Sequence, residues 1–122
     1  IVGHPFTFAS LEKGKETAPG QITAEDLVCT YRFREINPKT QLLGLIGRPV
    51  DKSYSDLTHN AVLQQLALNA IYLKFYLEDR ELPEFFKEIQ QLPVRGLSVT
   101  MPFKEKVLAW LDDSHELAAC NT

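Results

Sequence analysis

From Leu42 onward, short apolar runs of strand length alternate with amphipathic stretches of helical spacing, and this rhythm limits the chain to few folds. Leu42-Leu43-Gly44-Leu45-Ile46 is a continuous apolar run, as a strand buried on both faces requires. Ala70 to Tyr76 is a second β-rich run, holding Ile71, Tyr72, Leu73, Phe75 and Tyr76, and Leu97 to Val99 is a third. Between the first two, Ser55 or Asp56 can cap a helix with Leu57, Ala61, Leu63, Leu66, Ala67 and Leu68 on a broad buried face and Asn69 at its end. Pro83 opens the next helix, which sets Phe85, Phe86, Ile89 and Leu92 on one side and stops at Pro93. A helix from Phe103 to about Leu111 and another from about Ser114 to Ala119 follow. Such alternation predicts an α/β fold, a three-layer sandwich around a mostly parallel sheet, over residues 42–122.

Residues 1–35 read differently. Phe6-Thr7-Phe8-Ala9 is a β-prone island followed by a loop with Gly14, Pro19 and Gly20. Thr23-Ala24-Glu25-Asp26 fits a capping box, and Leu27, Val28 and Tyr31 continue a helix to about Phe33. One strand–loop–helix unit cannot bury both of its faces, so it needs partners and is expected to keep low order on its own. Residues 36–41, polar and broken by Asn37-Pro38, read as a linker between two units. A start at Ile1, with Met101 the single methionine, suggests an excerpt from a longer polypeptide.

Composition removes several function classes. With a net charge of −3 and no basic run interleaved with aromatics, the footprint of a nucleic-acid binder is missing. Cys29 and Cys120 stand far apart, outside any C-x-x-C pair or His-rich cluster, and read as reduced core residues, with no metal site expected. No apolar run approaches the roughly 18 residues that span a membrane, so a soluble, cytoplasmic protein with no membrane partner is expected.

Two loops collect polar groups. In Gly96 to Glu105 the spacing predicts strand, tight turn and helix, with Pro102 at the first helical position. Ser98, Thr100 and Lys104 then gather at the carboxyl end of a strand, where open α/β sheets bind ligands. Lys104 would sit in a first helical turn, whose positive end disfavours an ammonium; it reads either as an acid–base group or as a solvated surface lysine. The loop Gly47 to Ser55 follows the first strand and places Ser53 and Ser55 before a helix, as caps or as donors to a ligand. Gly44-Leu45-Ile46-Gly47 lacks the third glycine of a dinucleotide fingerprint, and Pro49 removes an amide from the loop, so that reading is rejected. His59 is compatible with a satisfied structural histidine, and His4 and His115 have no company that suggests metal or triad chemistry.

Taken together, Gly47-x-Pro49-Val50-x-x-Ser53-x-Ser55-x-x-x-His59-Asn60, Ser98-Val99-Thr100-x-Pro102-x-Lys104-Glu105 and Ala119-Cys120-Asn121-Thr122 resemble the substrate-binding domain of shikimate dehydrogenase. The resemblance implies that Ser53 and Ser55 hold the shikimate carboxylate, that Thr100 and Asn121 bind ring hydroxyls, and that Lys104 is the catalytic lysine. Ser98 stands where that family more often has Asn, Lys52 replaces a usual His and Asp56 a usual Pro. The family reduces 3-dehydroshikimate with NADPH, bound by a separate domain that is expected to lie beyond Thr122. An aspartate that pairs with the lysine would likewise lie beyond Thr122. Residues 1–35 resemble the last strand, loop and helix of a type I 3-dehydroquinate dehydratase, a (β/α)8 barrel, with Gln21 aligned to a substrate-binding glutamine and Thr17 to a position often serine. The order of the two units matches bifunctional enzymes of the shikimate pathway. The implied activity is the reduction of 3-dehydroshikimate in a parent that also dehydrates 3-dehydroquinate, with this fragment alone inactive. A quinate-oxidising relative and a non-catalytic binding domain of the same fold are the alternatives.

Overall fold

The structure, a computed structural model, describes residues 22–111; the strand expected at Phe6 to Ala9 and the helix expected at Ser114 to Ala119 lie outside them. Three strands, β1 (Gln41–Gly47), β2 (Ala70–Tyr76) and β3 (Val94–Val99), form a parallel sheet in the order β2-β1-β3. The apolar run at Leu42 thus becomes the central strand, flanked on both sides. Ile46 pairs with Phe75 and Val99, and Leu45 with Lys74 and Ser98, so each row of the register faces one side of the sheet. Ile46 meets Leu82, Phe85, Phe103 and Val107 on one face, and Leu45 meets Val50, Leu63, Ala70 and Tyr72 on the other. Helix α2 (Ser55–Gln65) covers the second face and α3 (Leu82–Ile89) the first, which gives the three layers expected.

Helix α2 departs from its expected packing. Leu57, Leu66 and Leu68 are about half exposed, while the buried positions are Asp56, Asn60 and Leu63. The reason lies at the edge of the sheet, where β2, without an outer neighbour among the described residues, leaves amide groups to be satisfied. The Asn60 side chain accepts from the Tyr72 N–H and donates to the Tyr72 carbonyl, both at 2.8 Å. Asn60 therefore stands in for one residue of a missing strand. Asn60→Ala is expected to destabilise the fold by about 2–6 kcal/mol, at about 1–3 kcal/mol for each of the two backbone groups left unpaired; urea denaturation checks this, and a change below about 1 kcal/mol would show that water replaces the amide. The helix stops at Gln65, and Ala67 takes a left-handed φ of 52° ahead of Asn69.

The amino-terminal segment is shorter in helix than expected. Thr23 caps α1 (Ala24–Cys29), its hydroxyl accepting from the Asp26 N–H at 3.0 Å, but the helix ends four residues before Phe33. The β-branched and aromatic residues Val28, Thr30 and Tyr31 weaken helix propensity there. Arg32, at a φ of 48°, turns the chain into a single 3₁₀ turn over Phe33–Glu35. Cys29 is exposed, not a core residue. Residues 36–40 are tied down: the Lys39 N–H donates to Asn37 Oδ1, and the Thr40 hydroxyl and Asn37 both bond to the Asn69 side chain.

After β3 the chain makes turns over Met101–Glu105 and a 3₁₀ helix over Lys106–Trp110, where an α-helix from Phe103 was expected. Phe103 is fully buried in the core and pulls the chain inward at the point where a helix would have begun. Trp110 stacks on Phe86 of α3 with centroids 5.0 Å apart, which anchors the far end of this segment.

Candidate functional site

In a 2-1-3 parallel sheet the strand order reverses beside β1, and ligands bind outside the carboxyl ends of the strands at such a point. The loops that leave β1 and β3 meet there. The Thr100 N–H donates to the Ile46 carbonyl, and the Arg48 N–H to the Met101 carbonyl, each at 2.9 Å. Gly47 lies between them, and a Cβ at that position would strike the Thr100 methyl and approach the Met101 carbonyl to 3.2 Å. Only a glycine lets the two loops close on each other here.

The β1 loop carries Ser53 and Ser55, whose hydroxyl oxygens are 2.7 Å apart; the Ser55 N–H also donates to Ser53 Oγ at 3.2 Å. Both serines are half-buried, and Ser55 is the first residue of α2. The hydroxyls therefore satisfy each other and the helix start, and remain within reach of solvent. On the β3 loop Thr100 is half-buried and its carbonyl accepts from the Phe103 N–H at 3.0 Å. Lys104 is exposed in the following turn, and no carboxylate pairs with it among the described residues. Because that turn precedes a short 3₁₀ helix and not an α-helix, the dipole expected to act on Lys104 is missing. Ser98, exposed on β3 and paired with Leu45, lies on the α2 face of the sheet. Gln21 and Asn121 lie outside the described residues. The structure thus brings Ser53, Ser55, Ser98, Thr100 and Lys104 to one end of the sheet.

Sequence reasoning passed over what stands behind the serines. Lys74, on β2, donates to the Ser53 carbonyl at 3.0 Å and lies 3.4 Å from Asp56 Oδ1. Asp56, which the sequence marks as no more than a helix cap, accepts at Oδ2 from the Tyr31 hydroxyl at 2.6 Å. Burial first, then the bond to Asp56 and its negative charge, push the Tyr31 hydroxyl well above its usual range, so it stays protonated and donates. These side chains line a cleft of about 340 Å³ between α1 and the serine loop, shared with Thr23, Asp26 and Asp51. A second cleft, about 350 Å³, lies around Arg32, Thr40 and Asn69 at the opposite end of the sheet from the serine loop, and shares Tyr31 with the first. His59 contacts the Ser55 carbonyl at 2.7 Å through Nδ1 and stacks on Tyr72 at 4.2 Å, a structural arrangement.

The described residues do not fit a dinucleotide. A Cβ on Gly44 would lie 2.6 Å from the Phe75 ring, and Gly47 is closed by Thr100, so both glycines serve packing and neither borders an open cradle for phosphate. Among the described residues no group of three His, Cys, Asp or Glu side chains could hold a metal ion. Likewise, none of their helices is long and apolar enough to cross a membrane.

The family model described as the shikimate dehydrogenase substrate binding domain matches residues 45–122, and that of type I 3-dehydroquinase matches residues 1–38. The shikimate biosynthesis protein AroDE of Chlamydia pneumoniae is 39% identical over 112 residues, covering 92% of this chain and 23% of that protein. The chloroplastic bifunctional 3-dehydroquinate dehydratase/shikimate dehydrogenase of Arabidopsis thaliana is 35% identical over 95% of this chain and 19% of its own length. Among solved structures, shikimate 5-dehydrogenase of Thermus thermophilus, in complex with NADP(H) and shikimate, superposes with a TM-score of 0.60 at 32% identity, over 65% of this chain and 30% of that one. The chain therefore spans less than a quarter of the length of these two curated relatives.

Proposed function

Because the chain belongs to the shikimate dehydrogenase family through its substrate-binding domain, we propose that it forms the substrate half of a dehydrogenase site that reduces 3-dehydroshikimate to shikimate, in a polypeptide that also dehydrates 3-dehydroquinate. In this reading residues 1–35 end the dehydratase unit and contribute Gln21 to its substrate, 36–41 join the units, and 42–122 bind shikimate. The observation that carries it is the pair of hydroxyls on Ser53 and Ser55, 2.7 Å apart on a loop stitched to the loop of Thr100 and Lys104.

The chemistry follows from those groups. A carboxylate accepts hydrogen bonds, so its arrival turns the two serine hydroxyls from each other toward the ligand, at the amino end of α2 where negative charge is favoured. Ser98, Thr100 and Asn121 hold ring hydroxyls and fix which carbon faces the cofactor. Lys104 gives its proton to the reacting oxygen in the reduction and takes it back in the reverse direction, as a group on an exposed turn can. The nicotinamide cofactor supplies the hydride and would be held by another part of the polypeptide, since the residues described here offer it no cradle.

Titration of the chain with shikimate, followed by amide NMR, tests the reading. Saturable shifts are expected at Ser53, Thr100 and Asn121, with Ser55→Ala weakening binding by about 10- to 100-fold, the worth of one hydrogen bond to a charged group. Shifts scattered over the surface, or none at millimolar ligand in a folded sample, would count against a carboxylate site at the serines.

A further inference from the structure

The serine loop is held from behind by a chain of polar side chains that starts on the amino-terminal segment. The Asp56 side chain is only 8% exposed, and its two oxygens are served from opposite directions, Oδ2 by the Tyr31 hydroxyl at 2.6 Å and Oδ1 by the Lys74 ammonium at 3.4 Å. Among the described residues Oδ1 accepts no hydrogen bond, and the ion pair is its compensation there. Lys74 in turn directs a proton at the Ser53 carbonyl, 3.0 Å away, and Ser53 meets Ser55 through its hydroxyl. A buried carboxylate with one oxygen fixed by a hydroxyl cannot rotate toward its cation. The ammonium is therefore left shared between the carboxylate and the Ser53 backbone. Without the Tyr31 hydroxyl, Asp56 turns to make a full hydrogen bond with Lys74 and draws it away from Ser53.

We infer that Tyr31, Asp56 and Lys74 are positioning residues for Ser53 and Ser55, and that through Tyr31 the segment matched to the dehydratase family sets the geometry of the dehydrogenase-type substrate loop. This rests on the reading of those serines as carboxylate ligands. Neither cleft nor sheet register alone requires it: Tyr31 belongs to the first unit by sequence and Lys74 to the second, and Asp56 occupies a position where the family more often has proline.

The test is amide NMR of the 122-residue chain, unmodified and as Tyr31→Phe, which removes a single oxygen, before and after addition of shikimate. In the ligand-free Tyr31→Phe spectrum the Ser53 and Ser55 amides are expected to move while those of α3, on the far face of the sheet, stay in place. Shikimate affinity is expected to fall three- to tenfold. Lys74→Met is expected to lower affinity further and Lys74→Arg to restore part of it, which a loss of packing alone would not produce. In the full-length polypeptide, KM for shikimate rises while kcat holds. Unmoved serine amides or unchanged affinity in a folded Tyr31→Phe chain would overturn the inference. Failure of the unmodified chain to bind shikimate would instead remove the carboxylate reading and with it the substrate half of the inference, while the ligand-free shifts still decide whether Tyr31 governs the loop.

Discussion

Replacing Lys104 by alanine in the full-length polypeptide is expected to lower kcat for 3-dehydroshikimate reduction by about 10²–10⁴-fold, the usual worth of a positioned acid–base group, with a much smaller change in KM. The expectation comes from where Lys104 stands. It is exposed at the ligand-binding end of the sheet, it follows directly on a side chain buried in the core, and no carboxylate neutralises it among the described residues. Arginine is expected to fail as a replacement because it keeps its proton across the accessible pH range. Dehydratase activity of the same preparation is the control for folding. If Lys104→Ala reduced both activities together, or raised KM alone, Lys104 would be structural or a binding group and the acid–base role would have to be given up.

Phe103→Ala is expected to cost about 3–5 kcal/mol, in the range for a buried aromatic truncated in a core. Phe103 is 0% exposed and packs with Ile46, Leu82, Phe85 and Val107, elements from all parts of the first face. For a domain of this size each kcal/mol corresponds to roughly 4–8 °C, so Tm is expected to fall by at least about 12 °C, as thermal denaturation followed by circular dichroism would measure. A loss below about 1 kcal/mol would mean that Trp110 or Phe86 refills the space. The effect reaches the site as well: Phe103 is the fixed point between Thr100 and Lys104, and its N–H closes the turn on the Thr100 carbonyl. Shikimate binding should weaken in any fraction that stays folded.

The sheet and its sequence of elements were legible because strand burial writes itself as uninterrupted apolar runs, and the run at Leu42 read as a buried parallel strand. The gathering of Ser53, Ser55, Ser98, Thr100 and Lys104 was legible for the same reason, since position after a parallel strand already places a residue at the ligand-binding end. Packing of α2 was not. Leu57, Leu66 and Leu68 look like a core stripe, yet the helix turns Asp56, Asn60 and Leu63 inward. An edge strand's demand for hydrogen bonds depends on which strand lies at the edge, and periodicity within one helix carries no information about that. The tight turn after β3 was legible, but its continuation to Glu105 in place of a helix was hidden, because Pro102 suits a helix start and a tight turn equally well. Tyr31, Asp56 and Lys74 are 25 and 18 positions apart in sequence, and nothing local announces a contact that exists only once the segment after α1 meets the start of α2.

Asn60 has a consequence for assembly. Together with the Arg32 guanidinium, which donates to the Ala70 carbonyl at 2.6 Å, its amide occupies successive outward-facing positions of β2. A strand arriving from another molecule, or from elsewhere in a longer polypeptide, finds those backbone groups already taken. Growth of the sheet is thereby steered past β3, so any strand added there borders Ser98 and Thr100, and the opposite margin is guarded against edge-to-edge aggregation.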